Sequence, residues 1–119
     1  MLRFMTSAAL AALLAFPVSA QQEAPLSLEH RMLLRCSAAF AIVVARQDAG
    51  DPEALAWPPL KERGGEFFVR AAAKVMDEAA LDRDGIADAL GREARALSED
   101  DALARTMPPC LDALEAAGL

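Results

Sequence analysis

Apolar residues recur at steps of three and four along nearly all of residues 28–117, with no sustained alternation. That spacing gathers them on one side of a helix but scatters them over both faces of a strand. Composition points the same way. Aromatics are 5% of the chain, with one Trp and no Tyr, while Ala and Leu dominate. Ala and Leu lose little freedom in a helix, whereas strands favour β-branched and aromatic residues. A chain of 119 residues holds one small domain. It is too short for a two-domain enzyme, a barrel of alternating strands and helices, or a dinucleotide fold. With 55% hydrophobic residues it is too apolar for a disordered chain.

Turn and cap residues divide the pattern. Ser27 is an expected N-cap for a first helix from about Leu28 to Asp48, and Gly50 stands just past its end. Met32, Leu33, Cys36, Phe40, Val43 and Val44 share one face of it. The stretch Asp51–Pro59 has three prolines in nine residues, so it reads as a connector with a short turn around Pro52–Ala56. A second long helix is expected from Pro59 or Leu60, with Leu60, Gly64, Phe67, Phe68, Ala71, Val75, Met76 and Ala79 at helical spacing. Gly64-Gly65 either delays its start to Glu66 or lets another helix approach closely, and the second reading is preferred. Asp82 caps a third helix over about Arg83–Leu97. Ser98 and the acids after it suggest the start of a fourth, over Glu99–Thr106. Pro108-Pro109 ends or kinks that helix, and a short last one is expected from Pro109 to Ala117. The expected fold is all-α: a compact bundle of four to five helices stapled by one disulfide.

The first twenty residues, MLRFMTSAALAALLAFPVSA, are expected to be an address rather than structure. Arg3 precedes an apolar run from Ser7 to Phe16, and Val18-Ser19-Ala20 forms a small-residue end. That is the layout of a secretory signal peptide, and ten residues are too few to span a bilayer. Cleavage after Ala20 would leave residues 21–119 as a single helical domain, exported and periplasmic or secreted. Without Arg3 the chain carries 11 basic and 18 acidic residues, a net charge of −7. Such a charge repels phosphate backbones and anionic membranes, so neither nucleic acid nor stable membrane insertion is expected.

Cys36 and Cys110 are the only cysteines. Two cysteines in an exported chain are expected to pair. A redox pair is disfavoured, because no C-x-x-C spacing occurs and both sit in apolar helical surroundings.

Signatures of catalysis are sparse. His30 is the only histidine, sits in the first turn of the first helix, and is read as a surface side chain. A hydrolytic triad or zinc site needs histidine with companions. Leu81-Asp82-Arg83-Asp84-Gly85-Ile86 looks at first like part of a calcium loop, but the twelfth position is Gly91 rather than Glu. Glu62 and Glu66 lie one turn apart on a face expected to be solvated, with no aromatic platform for a sugar. No catalytic residue, metal or cofactor is expected.

The surface offers more. Arg31, Arg35 and Arg46 fall on one flank of the first helix, a basic strip on an acidic chain. They either pair with neighbouring acids or anchor an acidic partner. Trp57 precedes Pro58-Pro59 on a stiff loop and serves either as a lid on the core or as a recognition residue. Phe67 and Phe68 diverge by 100°, so one is expected at the core margin, beside Trp57, in a small apolar patch. The segments Glu66-Phe67-Phe68-Val69-Arg70, Trp57 to Gly64 and Pro108-Pro109-Cys110-Leu111 resemble an uncharacterised family of small exported bacterial helical proteins. The resemblance spans most of the mature chain and implies a helical, exported protein without assigning an activity.

The leading expectation is a non-enzymatic periplasmic protein acting by protein–protein interaction, as an adaptor or immunity-type binder. Its partner would be another periplasmic or envelope protein, met by Trp57, Arg31, Arg35, Arg46 and Phe68. An envelope or acid-stress chaperone is the first alternative. In size, helicity and long-range disulfide the chain resembles the small acid-activated periplasmic chaperones. A small-ligand carrier or small enzyme is the second.

Overall fold

A computed structural model describes residues 26–119. The expected signal peptide, residues 1–20, lies outside them. The described residues form five helices: α1 (Leu28–Asp48), α2 (Pro52–Leu55), α3 (Lys61–Ala79), α4 (Arg83–Leu97) and α5 (Ala102–Ala116). They contain no strand, and the architecture is an all-α bundle with a Cys36–Cys110 disulfide. No helix among them is long and apolar enough to cross a membrane.

α1 is the axis of the bundle and packs against each of the other four helices. Its start is set by Ser27, whose hydroxyl accepts the His30 N–H at 3.0 Å. Gly50, at φ 78°, turns the chain out of the helix end at little steric cost. Because α1 is central, it buries more than one stripe. Leu34, Ser37, Ala38 and Ala39 are buried beside Cys36, Phe40 and Val43, whereas Met32, expected in the apolar face, is 37% exposed.

Gly64 and Gly65 both lie inside α3. A Cβ on Gly64 would sit 3.2 Å from the Phe40 Cβ, so its bare Cα lets α3 close onto α1. Gly65 has nothing within 4 Å of such a Cβ. Gly65→Ala is therefore expected to stabilise the fold by about 0.5–1 kcal/mol, the ordinary gain of Ala over Gly in a helix. Gly64→Ala gains nothing, since the new methyl must displace Phe40. Urea unfolding of the two variants side by side checks the contrast. Equal effects would remove the close-approach account of Gly64.

The last third of the chain corrects the expected division. Ser98 does not cap a helix start. It is the C-cap of α4, and its hydroxyl donates to the Arg95 carbonyl at 2.6 Å. The two helices expected around Pro108-Pro109 are a single α5. Without their N–H groups the prolines leave the carbonyls of Ala104 and Arg105 without helical partners, but both residues are exposed and water can serve them. Met107, Cys110 and Leu114, all at 0% exposure, hold the helix down on either side of the prolines.

The buried side chains form two clusters. The larger surrounds the disulfide and includes Phe40, Phe67, Leu60, Met107 and Leu114. The smaller joins Leu34, Val75, Ile86 and Ala89 at the other end of α1. Phe67 meets Phe40 edge-on, with ring centroids 5.3 Å apart.

Candidate binding surfaces

Trp57 stands on the connector between α2 and α3, which is pinned at both ends. Ala54 is 3% exposed and Leu60 is fully buried. Asp51 caps α2 by accepting the Glu53 N–H at 3.0 Å, and Pro52 fills the first turn. Between these anchors, Gln47 of α1 reaches across. Its Nε2 donates to the carbonyls of Pro58 at 2.9 Å and Ala54 at 3.0 Å, with Trp57 more distant at 3.3 Å. One side-chain amide and two prolines thus fix the backbone on which Trp57 rides. The indole is half-buried and packs against the larger cluster. Its other side faces an open recess of about 540 Å³, bordered by α1, α2 and the start of α5.

The recess floor is apolar, with Val43, Ala54 and Leu103. Its rim carries Arg46, Glu53, Asp100 and Asp101. Asp101 is paired with Arg105 one turn along α5. Asp100 holds φ 33°, in the left-handed region where residues other than Gly are strained. The rim is therefore acidic on balance, and Arg46 sits among carboxylates.

The three arginines of α1 do not form one surface. Arg31 and Arg35 border a different recess, of about 470 Å³, together with Arg92 of α4. Arg46 lies 15 residues beyond Arg31, roughly 22 Å along the helix axis at 1.5 Å per residue. Arg35 Nε donates to Glu93 Oε2 at 2.8 Å.

Phe67 is buried at 4% and Phe68 is 39% exposed, as the 100° divergence requires. Phe68 does not join Trp57, however. It lines a shallow apolar groove of about 390 Å³ with Ala41, Ile42, Leu90 and Ala94, between α1 and α4. The side of α3 on which Phe68 projects faces α4, and the connector carries Trp57 to another recess.

His30 is not a surface side chain. It is 9% exposed, and its Nε2 donates to Glu78 Oε2 at 2.9 Å. Lys74 Nζ bonds the other Glu78 oxygen at 2.5 Å and approaches Glu29 at 3.5 Å. The cluster ties the first turn of α1 to the last turns of α3. The bond from His30, then that from Lys74, holds the Glu78 carboxyl below its ordinary value of 4.5. A carboxyl with a lowered folded-state pKa stabilises the fold above its unfolded pKa, and that contribution disappears as pH falls through the folded value. Glu78→Gln is therefore expected to lower Tm slightly at neutral pH and to converge with the parent as pH drops below about 4.5, the ordinary carboxyl value. Scanning calorimetry between pH 7 and pH 3 checks it. A constant Tm difference across that range would overturn the assignment.

Two of the acids singled out by motif, Asp82 and Glu66, have structural partners. Asp82 Oδ1 accepts the Gly85 N–H at 2.8 Å, capping α4. Glu66 accepts from Arg70 Nε at 3.0 Å. Among the described residues, no three or more His, Cys, Asp or Glu side chains gather where they could hold a metal ion.

Comparison of the chain with protein-family models, curated proteins and solved structures finds no match. The sequence marked Trp57 but not Gln47, whose role depends on a carbonyl cluster that only the folded connector assembles. No sequence signal marks Arg92 either, because its nearness to Arg31 depends on how α4 lies on α1.

Proposed function

We propose that this is an exported, periplasmic helical protein that acts by binding another protein, with the Trp57 recess as its contact surface. The observation that carries the reading is the way Trp57 is held. Gln47 and the two prolines remove the freedom of its backbone, while the indole borders an open, apolar-floored recess with a charged rim. A preorganised aromatic loses little entropy on binding, which is why Trp is enriched among residues that dominate interface energies. The disulfide supports the exported location, since such bonds persist in oxidising compartments.

A photo-crosslinking residue at exposed Ala56, in cells, identifies the partner, and purified components then give its Kd. Trp57→Ala is expected to weaken that Kd by about tenfold or more, the scale of an interface hot spot, while the helical circular dichroism is retained. A variant that melts much earlier yet binds as before would make Trp57 only a lid on the core. Mass spectrometry of the exported chain tests the location, with a start at Gln21 expected.

The chaperone reading draws on the Glu78 carboxylate held by His30 and Lys74, whose protonation in acid would loosen α1 from α3. It predicts exposed apolar surface at pH 3 and capture of many unrelated clients there. A single partner at neutral pH separates the two.

A further inference from the structure

We infer that the recess between the first half of α1 and the second half of α4 is a docking site for an acidic segment of a protein partner, one that places an apolar side chain between carboxylates. The floor is apolar: Leu34 is 1% exposed and Ala89 3%. The rim carries Arg31, Arg35 and Arg92. Glu93, whose side chain is 12% exposed, neutralises one guanidinium by accepting from Arg35. Among the described residues neither Arg31 nor Arg92 pairs with a carboxylate. Among the described residues, two positive charges thus stand without a carboxylate partner around one hollow, on a chain with 18 acidic residues.

The two guanidinium groups without a carboxylate, Arg31 on α1 and Arg92 on α4, border the same recess. An incoming carboxylate offsets their like charge and offers the planar, two-oxygen acceptor that guanidinium groups match. The choice of occupant follows from charge and shape. A long polyanion such as nucleic acid, or an anionic bilayer, would meet the negative body of the protein as well as the recess. A short acidic segment confines its charge to the hollow. The apolar floor distinguishes such a segment from a free phosphate, which has nothing to bury there. The volume, about 470 Å³, holds an apolar side chain with its flanking carboxylates.

The inference shares with the preceding proposal only the premise that the ligand is a protein, since the site lies at the other end of α1 from Trp57. The test uses the ¹⁵N-labelled, disulfide-bonded protein and the blocked peptide acetyl-Asp-Glu-Leu-Glu-Asp-amide. Saturating amide shifts confined to residues 31–35 and 89–96 are expected. Binding should weaken in 0.5 M salt, because exposed charges are screened. Arg31→Glu with Arg92→Glu should weaken it at least tenfold, and Arg31→Gln with Arg92→Gln, the milder pair, by a smaller factor. Trp57→Ala should leave it unchanged, which separates failure of this site from failure of the Trp57 reading. The Asn/Gln version of the peptide should not bind. Shifts elsewhere, or none, overturn the inference. So does binding of inorganic phosphate or phosphatidylglycerol vesicles that matches or exceeds that of the peptide, and so does loss of peptide binding in Trp57→Ala.

Discussion

Replacing Cys36 and Cys110 together by alanine is expected to lower the unfolding free energy by about 4 kcal/mol, from loop-closure entropy alone. The two residues are 74 positions apart, so the bond closes most of the folded domain into one loop in the unfolded chain. In the chain-entropy account a loop of that length restricts the unfolded ensemble by roughly 4–5 kcal/mol. Domains of this size have only about 5–15 kcal/mol in total. The midpoint of thermal unfolding should fall by roughly 20 °C, at about 4–8 °C per kcal/mol for a domain near 100 residues. Alanine is the informative substitute. Cys36 is 1% exposed and Cys110 0%, so serine would also bury a hydroxyl among apolar side chains. Urea unfolding of the double variant and of the parent, with and without reductant, measures the effect. Reductant should destabilise the parent and leave the variant unchanged. A difference below about 1 kcal/mol would mean that the unfolded chain is already restricted without the bond.

Phe40→Ala is expected to cost about 3–5 kcal/mol, the range for deleting a buried aromatic ring. Phe40 is 1% exposed and among the largest fully buried side chains. It sits on α1 against α3, with Gly64 beside its Cβ and the Phe67 ring edge-on at 5.3 Å. Both neighbours belong to α3, so the cavity cannot close unless that whole helix shifts on α1. The contrast is Phe68→Ala. Phe68 is 39% exposed, and its loss should cost about 1–2 kcal/mol, since it buries only part of its ring and leaves a groove open to water rather than a closed cavity. Urea unfolding of both variants tests the pair. Comparable losses would show that the groove beside Phe68 belongs to the core.

The limits of several elements were legible because local chemistry writes them. Ser27 and Asp82 accept the N–H groups that open α1 and α4, and each bond spans three residues. Gly50 ends α1 through its own backbone freedom. Where a local signal met a tertiary one, the local signal misled. Pro108-Pro109 reads as a break, yet α5 runs through it because Met107, Cys110 and Leu114 bury the face opposite the exposed prolines. His30 reads as a surface residue one turn into α1, yet its ring is buried and hydrogen-bonded to Glu78, 48 positions away. Phe68 and Trp57 read as neighbours and line separate recesses.

Apolar spacing, caps, prolines and a pair of cysteines determined by themselves that this chain is a helical bundle with one staple. Those signals act within a few residues or, for the cysteines, through a bond whose only available partner is named by the composition. The tertiary structure alone decided which charges share a surface. It divided the arginines of α1 between two recesses, brought Arg92 to one of them, and gave Gln47 three carbonyls to hold. The physical reason is that helix periodicity specifies which side of each helix is buried. How far one helix slides and turns on another is set by side-chain volumes at the contact, such as the missing Cβ of Gly64 against Phe40.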